Sequence, residues 1–148
     1  VPSAILDLSI VETTKFKDMK AVMLAAGDEA VAAAKFLDYK IRPIFGMSGM
    51  DAENPETFVR TILDELAANY ILPHSKSTVL QDWMKGRHSE VNELNGLVVK
   101  AFHSRNLVAP TNQAMVEFAL AIERGEKTRG THNYGPLLER IEELRVSN

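Results

Sequence analysis

The segment Ser77-Thr78-Val79-Leu80-Gln81-Asp82-Trp83-Met84-Lys85-Gly86-Arg87-His88-Ser89-Glu90-Val91-Asn92-Glu93-Leu94-Asn95-Gly96 reads as two helices meeting at a Gly-Arg turn. The first runs from about Thr78 to Lys85, buries Val79, Leu80, Trp83 and Met84, and stops at Gly86. The second runs from about Ser89 to Arg105, with Val91, Leu94, Val98, Ala101 and Phe102 on one face and Asn106 as its terminator. The hydroxyls of Ser77 and Thr78 stand at the start of the first helix, and Glu90 falls in the first turn of the second. Helix starts present free N–H groups and a positive dipole end, so this arrangement suits an anion or a hydroxylated ligand. Glu90 precedes the stripe of Leu94, Leu97 and Ala101 by one turn, which aims it partly toward the core side. A plainer reading makes Ser77 and Thr78 caps and Glu90 an acid favoured by the dipole. On spacing alone that plainer reading is the commoner outcome.

The helical period continues outward in both directions. Upstream, Phe16, Met19, Val22, Met23, Ala26, Ala30, Ala33 and Leu37 form one apolar stripe, with Thr13 or Thr14 as its cap. Pro43, Gly46 and Gly49 mark a loop from Ile41 to Glu53 that carries the exposed-looking Ile44, Phe45 and Met47. Asn54-Pro55-Glu56 opens a helix through Phe58, Val59, Ile62, Leu63 and Leu66. Downstream, Pro110-Thr111-Asn112 opens a helix with Met115, Val116, Phe118, Ala119 and Ile122 inward, ending near Gly125. A polar segment, Glu126–Gly135, precedes a last short helix with Leu137, Leu138, Ile141 and Leu144. No alternating strand pattern of useful length competes. The fold expected is an all-α bundle of about six helices in one domain spanning residues 1–148.

Composition bounds the function. A chain of 148 residues that is 45% hydrophobic and 25% charged is long enough to bury a core without staples. Its net charge of −3 gives no broad basic field, so neither nucleic acid nor an anionic membrane surface is an expected partner. The apolar stretch Ala21–Leu37 is interrupted by Gly27, Asp28, Glu29 and Lys35, so no membrane span is expected. There is no cysteine, no secretory leader and no Asn-x-Ser/Thr sequon, which suits a cytoplasmic protein. His74, His88, His103 and His132 share no metal-ligand spacing, so no metal site is expected. Gly125-Glu126-Lys127-Thr128 lacks the glycine order of a phosphate-binding loop and reads as a flexible polar loop.

The central segment resembles the C-terminal domain of the ketopantoate reductase (2-dehydropantoate 2-reductase) family. The family's pattern is a Ser-Ser-Met-Leu-Gln-Asp helix, a Gly-Arg turn, Thr-Glu-Ile-Asp, and Asn-Gly in the next helix. It stands here as Ser77-Thr78-Val79-Leu80-Gln81-Asp82, Gly86-Arg87, Ser89-Glu90-Val91-Asn92 and Asn95-Gly96. Pro110-Thr111-Asn112 is similar to the family's next helix start, and Asp28-Glu29-Ala30-Val31-Ala32 to its upstream glutamate-alanine segment. The likeness runs from about Leu8 to Glu126.

The resemblance implies a helical, substrate-side C-terminal domain of the kind also found in 6-phosphogluconate dehydrogenase-type enzymes. In the family it closes over a 2-oxo acid while an N-terminal Rossmann domain binds NADPH, a lysine acting at the carbonyl. It implies substrate contacts at Glu90 and at Thr78, the latter with Ser77 beside it. Thr78 departs from the family serine by a methyl group, and Val79 replaces the family methionine. The chain contains no Gly-x-Gly-x-x-Gly turn, and none of its lysines has asparagine four residues later. The expectation is therefore an NADP-dependent 2-oxo acid reductase of pantothenate biosynthesis, represented by the half after its lysine. Alone this half would be inactive and, as a soluble cytoplasmic protein, would form a homodimer. The rival expectation is a non-enzymatic helical dimerisation or ligand-binding module with Ile44, Phe45 and Met47 as its interface.

Overall fold

The computed structural model describes residues 1–46 and 54–146. Every element in them is helical: α1 (Pro2–Ile5), α2 (Ile10–Thr13), α3 (Met19–Phe36), α4 (Pro55–Asn69), α5 (Thr78–Met84), α6 (Val91–His103), α7 (Pro110–Glu123) and α8 (Tyr134–Val146), with a 3-10 turn at Thr131–Asn133. The all-α expectation holds, with two more helices than the periodicity announced. These are α1 and α2, four residues each, too short to show a period. Helix α2 is set by a capping box, in which the Ser9 hydroxyl accepts from the Glu12 N–H while Glu12 accepts from the Ser9 N–H.

Those short helices displace the expected start of the long one. Thr13 belongs to α2, where its hydroxyl donates to the Ser9 carbonyl at 2.8 Å, and α3 begins only at Met19. Phe16 lies in the intervening turn and stacks on Tyr134, ring centres 5.0 Å apart. Tyr134 in turn donates its hydroxyl to Asp18, the residue before α3, so the first residue of α8 is pinned to the base of α3. Of the apolar loop residues, Ile44 and Phe45 are exposed, and Met47 lies outside the described residues.

The main core joins α1, α3, α7 and α8. Ile5, Leu6, Met19, Val22, Met115, Phe118, Leu137 and Ile141 meet there, all buried. Helix α7 is the central element, because its small residues Ala114 and Ala119 are fully buried and let α6 and α8 approach from two sides. Arg140 of α8 grips Glu117 of α7 with two N–H donors, at 2.7 and 3.1 Å. A smaller cluster of Ala4, Val79 and Leu80 seats α5 on α1. Met84, expected in the core, is mostly exposed, since α5 is only seven residues long and its last turn overhangs that cluster. No helix among the described residues is long and apolar enough to cross a membrane.

Most of the face expected on α6 is turned inward, with Val98 and Phe102 partly buried beside Val91 and Ala101, but Leu94 is not. Leu94 and Leu97 are 58% and 51% exposed, whereas Val91, Gly96 and Ala101 are buried. Asn95, next to Leu94, is partly buried and donates to Asn112 of α7 at 2.8 Å. Glu90, one turn earlier, is exposed as well, not turned to the core side.

Candidate functional site

The turn between α5 and α6 is defined by the backbone. Gly86 takes a left-handed conformation at φ +69, where a side chain would be strained. Its N–H donates to the Trp83 carbonyl at 3.1 Å, and the Arg87 N–H donates to the Asp82 carbonyl at 2.9 Å. That pair of bonds is a Schellman closure, so Gly86-Arg87 ends α5 as its sequence implied. At the other end Ser77 is the N-cap, and its hydroxyl oxygen accepts from the Leu80 N–H at 3.4 Å and lies 3.1 Å from the Ser3 hydroxyl. Ser77 is therefore committed to tying α5 to α1. Thr78, the first residue of the helix, is exposed, and its side chain makes no hydrogen bond among the described residues.

Glu90 is the N-cap of α6, one position earlier than the first turn, and its side chain makes no capping bond. It too is exposed and without a side-chain hydrogen bond or ion pair among the described residues. Of the two caps in the plainer reading Ser77 fits and Thr78 does not, and Glu90 stands at the positive end of the helix dipole without a hydrogen bond there.

A carboxylate that the sequence reading passed over holds the turn in place. Glu123, the last residue of α7, has a side chain only 8% exposed. Its Oε1 accepts from the Trp83 indole N–H at 2.8 Å, the Ser89 N–H at 2.8 Å and the Ser89 hydroxyl at 2.7 Å. Its Oε2 meets His88 Nδ1 at 3.1 Å. Burial alone would raise its pKa, but these donors outweigh burial and hold it near 2. One side chain of α7 thereby fixes α5 through Trp83 and the entry to α6 through Ser89. A signal was present: glutamate in the last turn of a helix sits against the unfavourable dipole end, which calls for compensating donors.

A second carboxylate does the same at the other end of α7. Its N-cap, Ala109, has no capping side chain. Glu29 of α3 supplies the cap from outside, accepting from the Thr111 and Asn112 N–H groups at 2.8 Å each and from the Asn112 amide at 2.7 Å. Asn112 also donates to the Ala26 carbonyl at 3.0 Å and accepts from Asn95. Three separate motifs, Asp28-Glu29, Asn95-Gly96 and Pro110-Thr111-Asn112, are thus one network joining α3, α6 and α7. They position the site; the open groups are Thr78 and Glu90.

No strand occurs among the described residues, and no Gly-x-Gly-x-x-Gly turn occurs in the sequence. No group of three or more His, Asp or Glu side chains among the described residues is placed to hold a metal ion.

No curated protein and no solved structure matches the chain at a significant level. The family described as ketopantoate reductase PanE/ApbA C terminal matches residues 1–123, a span that contains the capped turn, both carboxylate clips, Thr78 and Glu90. On that match, over most of its length, the chain belongs to the ketopantoate reductase C-terminal domain family.

Proposed function

We propose that this chain is the substrate-side domain of an NADPH-dependent reductase of 2-oxo acids, with ketopantoate reduced to pantoate as its reaction. What carries the reading is a sorting of polar groups. Ser77, Ser89, Asn95, Asn112, Glu29 and Glu123 are spent on internal hydrogen bonds. Thr78 and Glu90, at the starts of two helices locked together by Glu123, are left open. In this reading Glu90 accepts hydrogen bonds from substrate hydroxyls, and Thr78, with Ser77 beside it, donates to the substrate carboxylate. In this reading the hydride donor and the lysine acting at the carbonyl belong to a separate NADPH-binding domain. The protein would work in the cytoplasm, and as a homodimer, for which the exposed Leu94, Leu97, Ile44 and Phe45 offer apolar surface.

Thr78→Val in the complete reductase tests the carboxylate contact. Valine preserves shape and removes only the hydroxyl, which has no internal partner to lose. KM for the 2-oxo acid should rise by about tenfold, the worth of a hydrogen bond to a charged group. An unchanged KM would remove Thr78 from the site.

A further inference from the structure

Beside the α5–α6 turn a cleft of about 530 Å³ opens. Arg87 and His88 line it from the α5–α6 turn, Lys127 and Arg129 line it from the loop after α7, and Trp83 and Ile122 add apolar lining. Three permanent cations thus line one cleft in a chain whose net charge is −3. They are only lightly engaged. Arg87 makes no side-chain hydrogen bond or ion pair among the described residues. Lys127 lies over the Phe118 ring at 4.8 Å and faces no carboxylate. Arg129 is 3.5 Å from the half-exposed Asp7. The one carboxylate lining the cleft, Glu123, has both oxygens turned to Trp83, Ser89 and His88.

The backbone holds these cations in place. Arg87 follows the Schellman turn, as its N–H bond to Asp82 records. The loop after α7 is closed at its start by the Glu126 N–H on the Ala121 carbonyl. At its end the Gly130 N–H donates to the Ile5 carbonyl at 2.9 Å, and the Asn133 amide reaches the carbonyls of Ile5 and Thr128. The loop read as flexible from its composition is therefore tied at both ends.

The geometry points to this cleft as a binding site for the phosphate group of a small organic molecule. A planar carboxylate is satisfied by a single guanidinium fork, whereas cations supplied by two separate segments suit a tetrahedral dianion. The cleft volume exceeds what a bare ion needs and falls in the range of small-ligand sites, and the Trp83–Ile122 lining suits an organic portion. Lys127 and Arg129 lie beyond the residues that the family matches, so the family match does not assign this cleft.

Titration of the protein with inorganic phosphate at constant ionic strength, followed by amide and indole NMR shifts, tests it. Saturable shifts are expected at Trp83, Arg87, His88 and Lys127 to Arg129, and binding about tenfold weaker in both Arg87→Ala and Lys127→Gln. Neither substitution removes an ion pair, so both variants should fold. Non-saturating shifts spread over the surface lysines, or affinity equal to the parent's in either variant, would overturn the site. Parallel titrations with glucose 6-phosphate and NADPH identify the source. Tighter binding of the sugar phosphate at these residues makes it a free metabolite, and tighter binding of NADPH makes it the dinucleotide; either result sustains the phosphate site.

Discussion

Replacing Glu123 by glutamine should unfasten the α5–α6 turn, and its cost can be worked from the charge. Holding a carboxyl near 2 instead of 4.5 corresponds to about 3 kcal/mol of preferential stabilisation of the charged form. With the side chain only 8% exposed, little of that is screened by solvent. Glutamine retains one acceptor oxygen, but its NH₂ must face either the Trp83 and Ser89 donors or His88. The expected loss at pH 7 is about 2–3 kcal/mol, or about 5–10 °C in Tm for a domain of this size. The pH dependence has a definite sign. A depressed folded-state pKa means that the stabilisation is complete above the unfolded value of 4.5 and is lost as pH falls through that value toward 2. Urea denaturation of both proteins across that range is the assay. The gap between them should be widest at neutral pH and close toward pH 2. A variant as stable as the parent at pH 7, or a gap that stays constant with pH, would refute the reasoning.

Glu29→Gln removes the external cap of α7 and turns one acceptor into a donor facing N–H groups, so urea denaturation should show a loss of about 2–3 kcal/mol; an unchanged midpoint would contradict the cap. A Cβ on Gly27 would collide with the Val59 side chain across the α3–α4 contact. Gly27→Ala is therefore expected to cost about 1–3 kcal/mol, and combined with Val59→Ala less than the two single costs summed. Simple additivity would show that α3 and α4 do not touch there. Sedimentation equilibrium should give a mass that rises with concentration toward a dimer and falls back when Leu94 and Leu97 are both replaced by Ser; a strict monomer would count against association.

The long helices were legible because each carries a 3.6-residue apolar period and ordinary stop signals. Gly86, Asn106 and Gly125 all take the left-handed conformation that ends a helix. Two other aspects were hidden for physical reasons. Helices α1 and α2 are a single turn each, and tertiary contact rather than periodicity makes them helical. The outward placement of Leu94 goes with the amide pair Asn95 to Asn112, whose members lie on different helices. Of the site, Ser77, Thr78 and Glu90 were legible as helix-start residues, but their division into committed and open groups was not. That division is made by Glu123 and Glu29, whose partners lie 34 to 83 residues away along the chain. Their sequence positions still carried a hint, an acid at the wrong dipole end in one case and an acid inside an alanine stripe in the other.

The central claim, that Glu90 serves the substrate rather than its helix, is tested most directly by Glu90→Gln in the complete reductase, with ketopantoate kinetics and Tm measured on the same preparation. Glutamine keeps the size and helix propensity of glutamate and loses its charge. Because Glu90 makes no capping bond, Tm should barely move. The loss of a charge-assisted bond of about 1.5–3 kcal/mol should lower kcat/KM by about one to two decades. Undiminished kcat/KM together with a small fall in Tm would contradict the account and return Glu90 to the helix end.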